Sequence, residues 1–297
     1  MQLFVNDLTV IDFSYLGPQR GIVGESWIVD ITLDGSLNDQ SMVLDFGRVK
    51  KQIKAIIDDS VDHKLAVPAE HPFTKVSRHQ DNSGYWVDFI REDNRSIHLF
   101  CPADAFAFID ANVVDMDTVK AYLIAVIKRE LPTNVKGLEL TLRAEEISGF
   151  YYHYTHGLKK HDGNCQRIAH GHRSALQIFV NGIRTPRLEK LWADRWQDIY
   201  VGSAEDLAEP VDMQLSEHAQ SALAQSREAQ HVCYSYQADQ GLFELVVPHA
   251  ENTVIDTDST VECISEYLAT AVKKEEGDVA VKVVAFEGVG KGAIGYA

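Results

Sequence analysis

Basic residues are in short supply. The 297-residue chain sets 28 lysines and arginines against 44 aspartates and glutamates, a formal charge of −16 with histidine neutral. A field of that sign repels phosphate backbones and anionic bilayers, which argues against nucleic acid or a membrane as primary partner. An anionic small substrate stays possible where a metal or local cations supply positive charge. Long apolar runs are missing too: the longest, Ala121 to Ile127, is far short of the roughly 20 residues a bilayer needs. The opening MQLFVNDLTV has no basic lead and meets Asp7 early, so no secretory signal is expected. Cysteine is scarce, and Cys101, Cys165, Cys233 and Cys263 form no C-x-x-C pair or regular framework. That usage excludes a disulfide-stapled secreted domain and predicts a cytoplasmic protein with free thiols.

What is present is ordinary globular composition, 45% hydrophobic and 24% charged, at a length that suggests two domains. Periodicity predicts strands over Leu3–Tyr15 and Ser26–Leu33, then an amphipathic helix from about Phe46 to Asp59 with Val49, Ile53, Ile56 and Ile57 on its apolar stripe. A hairpin follows, GYWVDFI and SIHLFCP around a turn at Glu92-Asp93-Asn94, then a helix over Met116–Glu130 and a strand from Leu138. The order then repeats, with strands GFYYHYTHGL and SALQIFVNG, a less regular helical region over about Ala204–Ala229, a hairpin HVCYSYQADQGLFELVVP, a helix TVECISEYLATAVKKE and a strand VAVKVVAFE. The two long helices share Y-L-x-x-x-x-K-x-E. The reading is an internal duplication in the α+β class, antiparallel sheets with helices on one face, with units over 1–147 and 148–297.

The most informative stretch is Tyr151 to His172, which holds five of the twelve histidines where uniform scatter would place about one. His170 and His172 flank a glycine at a strand start, so alternation sets both imidazoles on one face. His156, on the preceding strand, can approach from beside them. Three neutral imidazoles with a fourth position open make a catalytic zinc site, whereas structural sites close with four ligands. An isolated H-x-H in a strand commonly turns both rings to solvent; the addition of His156 and the interposed Cys165 shifts the reading to a metal centre.

These residues resemble a known family, the 6-pyruvoyl-tetrahydropterin and 6-carboxytetrahydropterin synthases. Y-H-Y-T-H-G-L from Tyr152, then Cys165, then His170-Gly171-His172 is similar to the family's F-S-A-x-H-x-L, cysteine and H-G-H. SMVLDFGRVKKQIKAIIDDSVDHKL in the first half resembles its G-M-V-x-D-F-x-x-L-K stretch and Asp-His pair, here Asp62-His63. The T-x-E element appears as Thr260-Val261-Glu262, and the closing strand with its pterin-anchoring glutamate appears twice, at Glu146 and Glu287. The resemblance implies two tandem T-fold units and self-association into homo-oligomeric barrels. It implies Zn2+ held by His156, His170 and His172, with Cys165 and the Asp62-His63 pair as a proton relay. Glu287 or Glu146, with Thr260 and Glu262, would bind the pterin. The implied reaction is a lyase step on 7,8-dihydroneopterin triphosphate, of the 6-carboxytetrahydropterin branch that feeds queuosine, or else of the 6-pyruvoyl branch. The glutamate-bearing branch that makes a folate precursor is disfavoured by Cys165.

Each half departs from the family pattern in a complementary way. Val23-Gly24-Glu25 aligns with His170-Gly171-His172, and no histidine precedes His63. DIYVGSAEDL is read as the counterpart of the LDFGRV region, and no Asp-His pair follows it; Asp115-Met116-Asp117 stands for T-x-E. The expectation is one composite site per chain. Two competing readings are a non-catalytic pterin-binding T-fold protein, which would tolerate loss of Cys165, and a zinc hydrolase using water as nucleophile.

Overall fold

The computed structural model describes residues 1–92, 95–225 and 230–297. Strands β1 (Gln2–Gly17) and β2 (Gly21–Gly35) form a long antiparallel hairpin. Helix α1 follows, α-helical over Phe46–Arg48, π-helical over Val49–Ile53 and α-helical again over Lys54–Ser60, with Asp45 capping its start through Arg48 N at 3.1 Å. Next come β3 (Leu65–Pro68), β4 (Thr74–Arg78), β5 (Tyr85–Phe89), β6 (Ile97–Cys101) and β7 (Phe106–Ile109). Helix α2 (Met116–Lys128) opens on a capping box between Asp115 and Thr118 and buries Val119, Leu123 and Ile127, a spacing that keeps one face apolar. Strand β8 (Val135–Ala144) ends the first unit.

The second unit repeats the plan with β9 (Phe150–His156), β10 (His170–Val180), a short β11 (Ile183–Arg184), α3 (Pro186–Arg195), β12 (Ile199–Ser203), α4 (Glu217–Gln225), β13 (His231–Ala238), β14 (Gly241–Pro248), β15 (Asn252–Ile255), α5 (Val261–Glu276), β16 (Val281–Phe286) and β17 (Gly292–Tyr296). The duplication is explicit in the sheets. One has the order β7-β3-β1-β2-β8 and the other β15-β12-β9-β10-β16-β17, and the parallel and antiparallel pairings correspond strand for strand from β7 and β15 to β8 and β16. The class is α+β, with two consecutive units of one plan.

The units meet around a local two-fold axis. Ser14 lies opposite Gly24 in the first hairpin and Thr155 opposite Gly171 in the second, and the equivalent hydroxyls of Ser14 and Thr155 bond to each other at 2.7 Å. The two hairpins approach so closely there that a Cβ on Gly24 would overlap the Tyr154 carbonyl oxygen, and one on Gly171 would stand 2.6 Å from Gly24 Cα. A third sheet, β13-β14-β6-β5-β4, joins the units again: Leu99 on β6 pairs with its own equivalent, Leu245 on β14. Leu16, Ile22, Leu65, Leu99, Tyr200 and Leu245 share one buried core, so apolar burial, roughly 1.5–3 kcal/mol for a large side chain, bridges the units. Separate cores under α1 and α2 and under α3 and α5 complete each half.

Several elements differ from the sequence reading. β3, β7, β12 and β15 extend each sheet in parallel and are short runs such as LAVP and FAFI, too brief for periodicity to distinguish. DIYVGS forms β12, the equivalent of β3, so it corresponds to the HKLAVP region and not to LDFGRV. The partner of α1 is α3, whose charged sequence PRLEKLWADR hides a narrow buried stripe of Leu188, Trp192 and Ala193. The region expected to be helical from Ala204 contains two 3-10 turns and the nine residues of α4, while residues 226–229 lie outside the described residues. So do Asp93 and Asn94 of the expected turn.

Candidate active site and metal centre

The β9–β10 register sets His156 directly opposite His170, and the two-residue pleat returns His172 to the same face. All three imidazoles are buried, with ligand atoms within 4.8 Å of one another. Their outer nitrogens are fixed by acceptors: His156 Nδ1 donates to the Ser259 carbonyl at 2.7 Å and His170 Nδ1 to the Arg167 carbonyl at 2.9 Å. His172 Nδ1 faces the Asp12 carboxylate at 3.3 Å, an ion-pair contact whose angle is not that of a hydrogen bond. The Nε2 atoms of His156 and His172 face one another 3.2 Å apart. That separation suits either a shared proton or a metal ion between them. The gap matches the edge of a tetrahedron with metal–nitrogen bonds of about 2.0–2.1 Å. Burial, reinforced by the neighbouring imidazoles, holds His156 and His170 well below the ordinary histidine range, in the neutral form a metal requires. The residues fit a bound metal ion.

The Asp-His pair reaches this cluster from the other unit. His63 sits at φ 54°, just beyond α1, with its amide donating to the Asp12 carbonyl at 2.8 Å. Asp62 Oδ1 accepts from Asp12 N at 2.8 Å, and Asp62 Oδ2 holds His63 Nδ1 at 2.7 Å. These bonds aim the His63 ring at β10, where it lies 5.1 Å from the His170 ring, and Cys165 Sγ completes a second group within 4.8 Å. Burial alone would push the His63 imidazole down, but the Asp62 hydrogen bond and the Cys165 sulfur outweigh it and raise it to about 10. Two overlapping groups, His156–His170–His172 and His63–Cys165–His170, have ligand atoms close enough to hold an ion, and the three-histidine group is the fully buried one.

Of the remaining sequence-predicted residues, Glu287 lies just beyond β16 with Oε1 4.0 Å from His172 Nε2 and Oε2 3.4 Å from Lys291 Nζ. Glu146 does not join it. Pairing places Ala144 opposite Trp27, and the equivalent position in the second unit is that of Glu287, so the first unit has alanine where the second has the carboxylate. Glu146 is exposed beyond β8 and, among the described residues, makes no hydrogen bond or ion pair with the histidine cluster. Thr260 is the N-cap of α5, accepting from Cys263 N at 3.4 Å, just as Asp115 caps α2; Glu262 is exposed in the first turn. The element meets the site through Ser259, whose carbonyl orients His156. Sequence reasoning missed Ser259, Arg167 and Asp12, which act through main-chain atoms or across the unit interface and carry no spacing signal.

The equivalent position across the two-fold axis has been rebuilt. Tyr15, Val23 and Glu25 replace His156, His170 and His172, and Asp198, at φ 57°, occupies the place of His63. Arg20 bonds Asp198 at 2.5 and 2.8 Å and the Tyr15 hydroxyl at 3.1 Å, a closed ion cluster with one imidazole, His153, facing Glu25. His161, the remaining member of the histidine-rich stretch, is exposed in the loop. A separate line of Ser96, His98 and Asp88, at 2.9 and 2.7 Å, is buried with Ser216 on Asp88 and offers a substrate no exposed hydroxyl.

Fold and site together define an α+β protein of two related units with, among the described residues, one fully buried histidine cluster able to hold a metal. Residues 9–136 match the sequence model of the family described as 6-pyruvoyl tetrahydropterin synthase. The matched half is the one that supplies Asp62 and His63. Among solved structures, the chain is similar to 6-pyruvoyl tetrahydropterin synthase from Plasmodium falciparum, at 15% identity over 48% of this chain and 90% of that one, TM-score 0.39. It is also similar to the enzyme of the same name from Plasmodium vivax, at 18% identity over 50% of this chain and 93% of that one, TM-score 0.40. No curated protein matches the chain. No helix among the described residues is long and apolar enough to cross a membrane.

Proposed function

We propose that the chain is a zinc-dependent tetrahydropterin synthase-type lyase acting on 7,8-dihydroneopterin triphosphate, of the 6-carboxytetrahydropterin branch. Its site is composite, with Asp62 and His63 from unit 1–147 and the histidines and Cys165 from unit 148–297. The observation that carries this reading is the convergence of His63, Cys165 and His170 within 4.8 Å, from halves that each lack the other's part. A bound zinc ion supplies polarisation of the substrate's side-chain oxygen. The chain's own groups do the rest. Cys165 exchanges a proton with the substrate side chain, His63 stores and returns it, and Asp62 fixes the His63 ring through Nδ1. Glu287 accepts the paired N–H donors of the amino-pyrimidinone edge, a geometry a carboxylate matches. In this reading Thr260 and Glu262, at the start of α5, complete the pterin site. Self-association is part of the proposal, because among the described residues β8 pairs only with β2 and keeps an open edge.

The test is anaerobic incubation of the zinc-loaded protein with 7,8-dihydroneopterin triphosphate, with products resolved by mass spectrometry. A 6-carboxy product with acetaldehyde supports the proposal in full, and a 6-pyruvoyl product moves the chain to the other branch. Unchanged substrate, with zinc bound and a control enzyme active, overturns catalysis on this substrate.

A further inference from the structure

Asp12 lies on β1 of the first unit, yet its atoms reach both the Asp62-His63 pair and His172. Its backbone N–H donates to Asp62 Oδ1 and its carbonyl accepts from His63 N, both at 2.8 Å. Its side chain points the other way, across the interface. Oδ1 receives the Ser26 hydroxyl at 2.5 Å and stands 3.3 Å from His172 Nδ1, while Oδ2 lies 3.4 Å from Lys291 Nζ, itself 3.4 Å from Glu287. The carboxylate is buried, and the turn after β16 is moulded to it: Gly288 has φ 67°, and a Cβ there would overlap Asp12 Oδ1. His156 and His170 rest on carbonyls of their own unit; His172 alone faces a carboxylate, and that carboxylate comes from the other unit.

We propose that Asp12 is the positioning residue of the metal centre, its carboxylate favouring by charge the Nδ1–H tautomer of His172 at 3.3 Å across the unit interface and strengthening Nε2 as a ligand. The inference rests on the reading of His156, His170 and His172 as a metal site. Carboxylates in this relation to a ligating histidine raise its basicity and hold its ring, and their loss typically weakens metal binding about 10- to 100-fold. Because the Asp12 backbone also holds Asp62 and His63, one residue sets the distance between metal and proton relay. An asparagine keeps the size and the backbone bonds but turns either a neutral oxygen or an amide donor toward Nδ1.

The test is zinc competition against a chromophoric chelator, using full-length Asp12→Asn with Glu25→Gln as control. Glu25 faces His153 at the same 3.3 Å across the axis, but His153 belongs to no three-histidine group. The expected result is zinc affinity about 10- to 100-fold weaker for Asp12→Asn and within twofold of wild type for Glu25→Gln, at unchanged circular dichroism. Equal affinity in Asp12→Asn overturns the assignment, as does an equal loss in both variants. A wild-type chain that holds no zinc overturns the metal site itself and the assignment with it. Should Asp12→Asn fail to fold, the cobalt(II)-loaded wild type decides by proton NMR. Three solvent-exchangeable, hyperfine-shifted imidazole N–H signals support a protonated His172 Nδ1, and two overturn it.

Discussion

Ser14 Oγ and Thr155 Oγ1 lie 2.7 Å apart, a buried hydrogen bond between two residues that hold the same position in the two units. It marks the line about which metal site and rebuilt site are related. Gly24 and Gly171 abut beside it, so neither hairpin can accept a side chain there without moving the other's backbone. Gly24→Ala is expected to cost about 3 kcal/mol or more, or to prevent soluble folding. Urea denaturation is the measurement, and a loss under 1 kcal/mol would show that the interface yields.

The rebuilt site predicts an unusual pH response. Burial pushes the Glu25 carboxyl up to about 7 against the pull of Arg173 and Arg20, and its Oε2 has no partner. A folded pKa above the unfolded one adds stability that is complete below pH 4.5 and is lost as pH rises through 7. His153 acts in the opposite sense: burial lowers it to about 4, so its contribution is present above 6.5 and lost as pH falls through 4. In Glu25→Gln only the histidine term remains. The variant should gain stability relative to wild type between pH 4.5 and 7, by at most about 3 kcal/mol. Parallel pH profiles for the two proteins would show that Glu25 titrates normally.

Metal stoichiometry separates one composite site from two. Plasma emission analysis should find one zinc per 33.2 kDa chain, and none in His170→Ala. Chelation should lower the melting temperature of wild type alone, since a ligand at a thousandfold excess over its Kd stabilises by about 4 kcal/mol. Two ions per chain would mean that the Tyr15–Glu25 position still binds.

The closeness of His63 to Cys165 predicts a difference in alkylation. Iodoacetamide attacks the thiolate, and the His63 imidazolium is the cation beside that sulfur. His63→Gln should slow modification of Cys165 on the order of tenfold at pH 7, with Cys101 and Cys233 protected by burial in both proteins. An unchanged rate would place the imidazole out of contact in solution.

Much of this was legible in the residues themselves. The H-G-H spacing gave one face of a strand, and the repeated helix and hairpin order gave the duplication. Asp62-His63 and Cys165 were expected to combine from separate halves, and the structure sets them side by side. The choice between Glu146 and Glu287 was not legible, because similar strand sequences fit two alignments and only the hydrogen-bonded register shows that Ala144 is the true counterpart. Asp12 was invisible for a different reason. Its role depends on a contact between residues 160 positions apart in sequence, and nothing local distinguishes it from any carboxylate on a strand.

The pairing of Leu99 with Leu245 also bears on synthesis. When the first half has left the ribosome, β6 exists without β14, and the run IHLFC, buried throughout in the finished chain, presents a bare apolar edge. Such an edge recruits other strands, so the nascent chain passes through an interval in which it is prone to pair with the wrong partner. Tandem fusion shortens that interval, because the correct partner follows on the same chain.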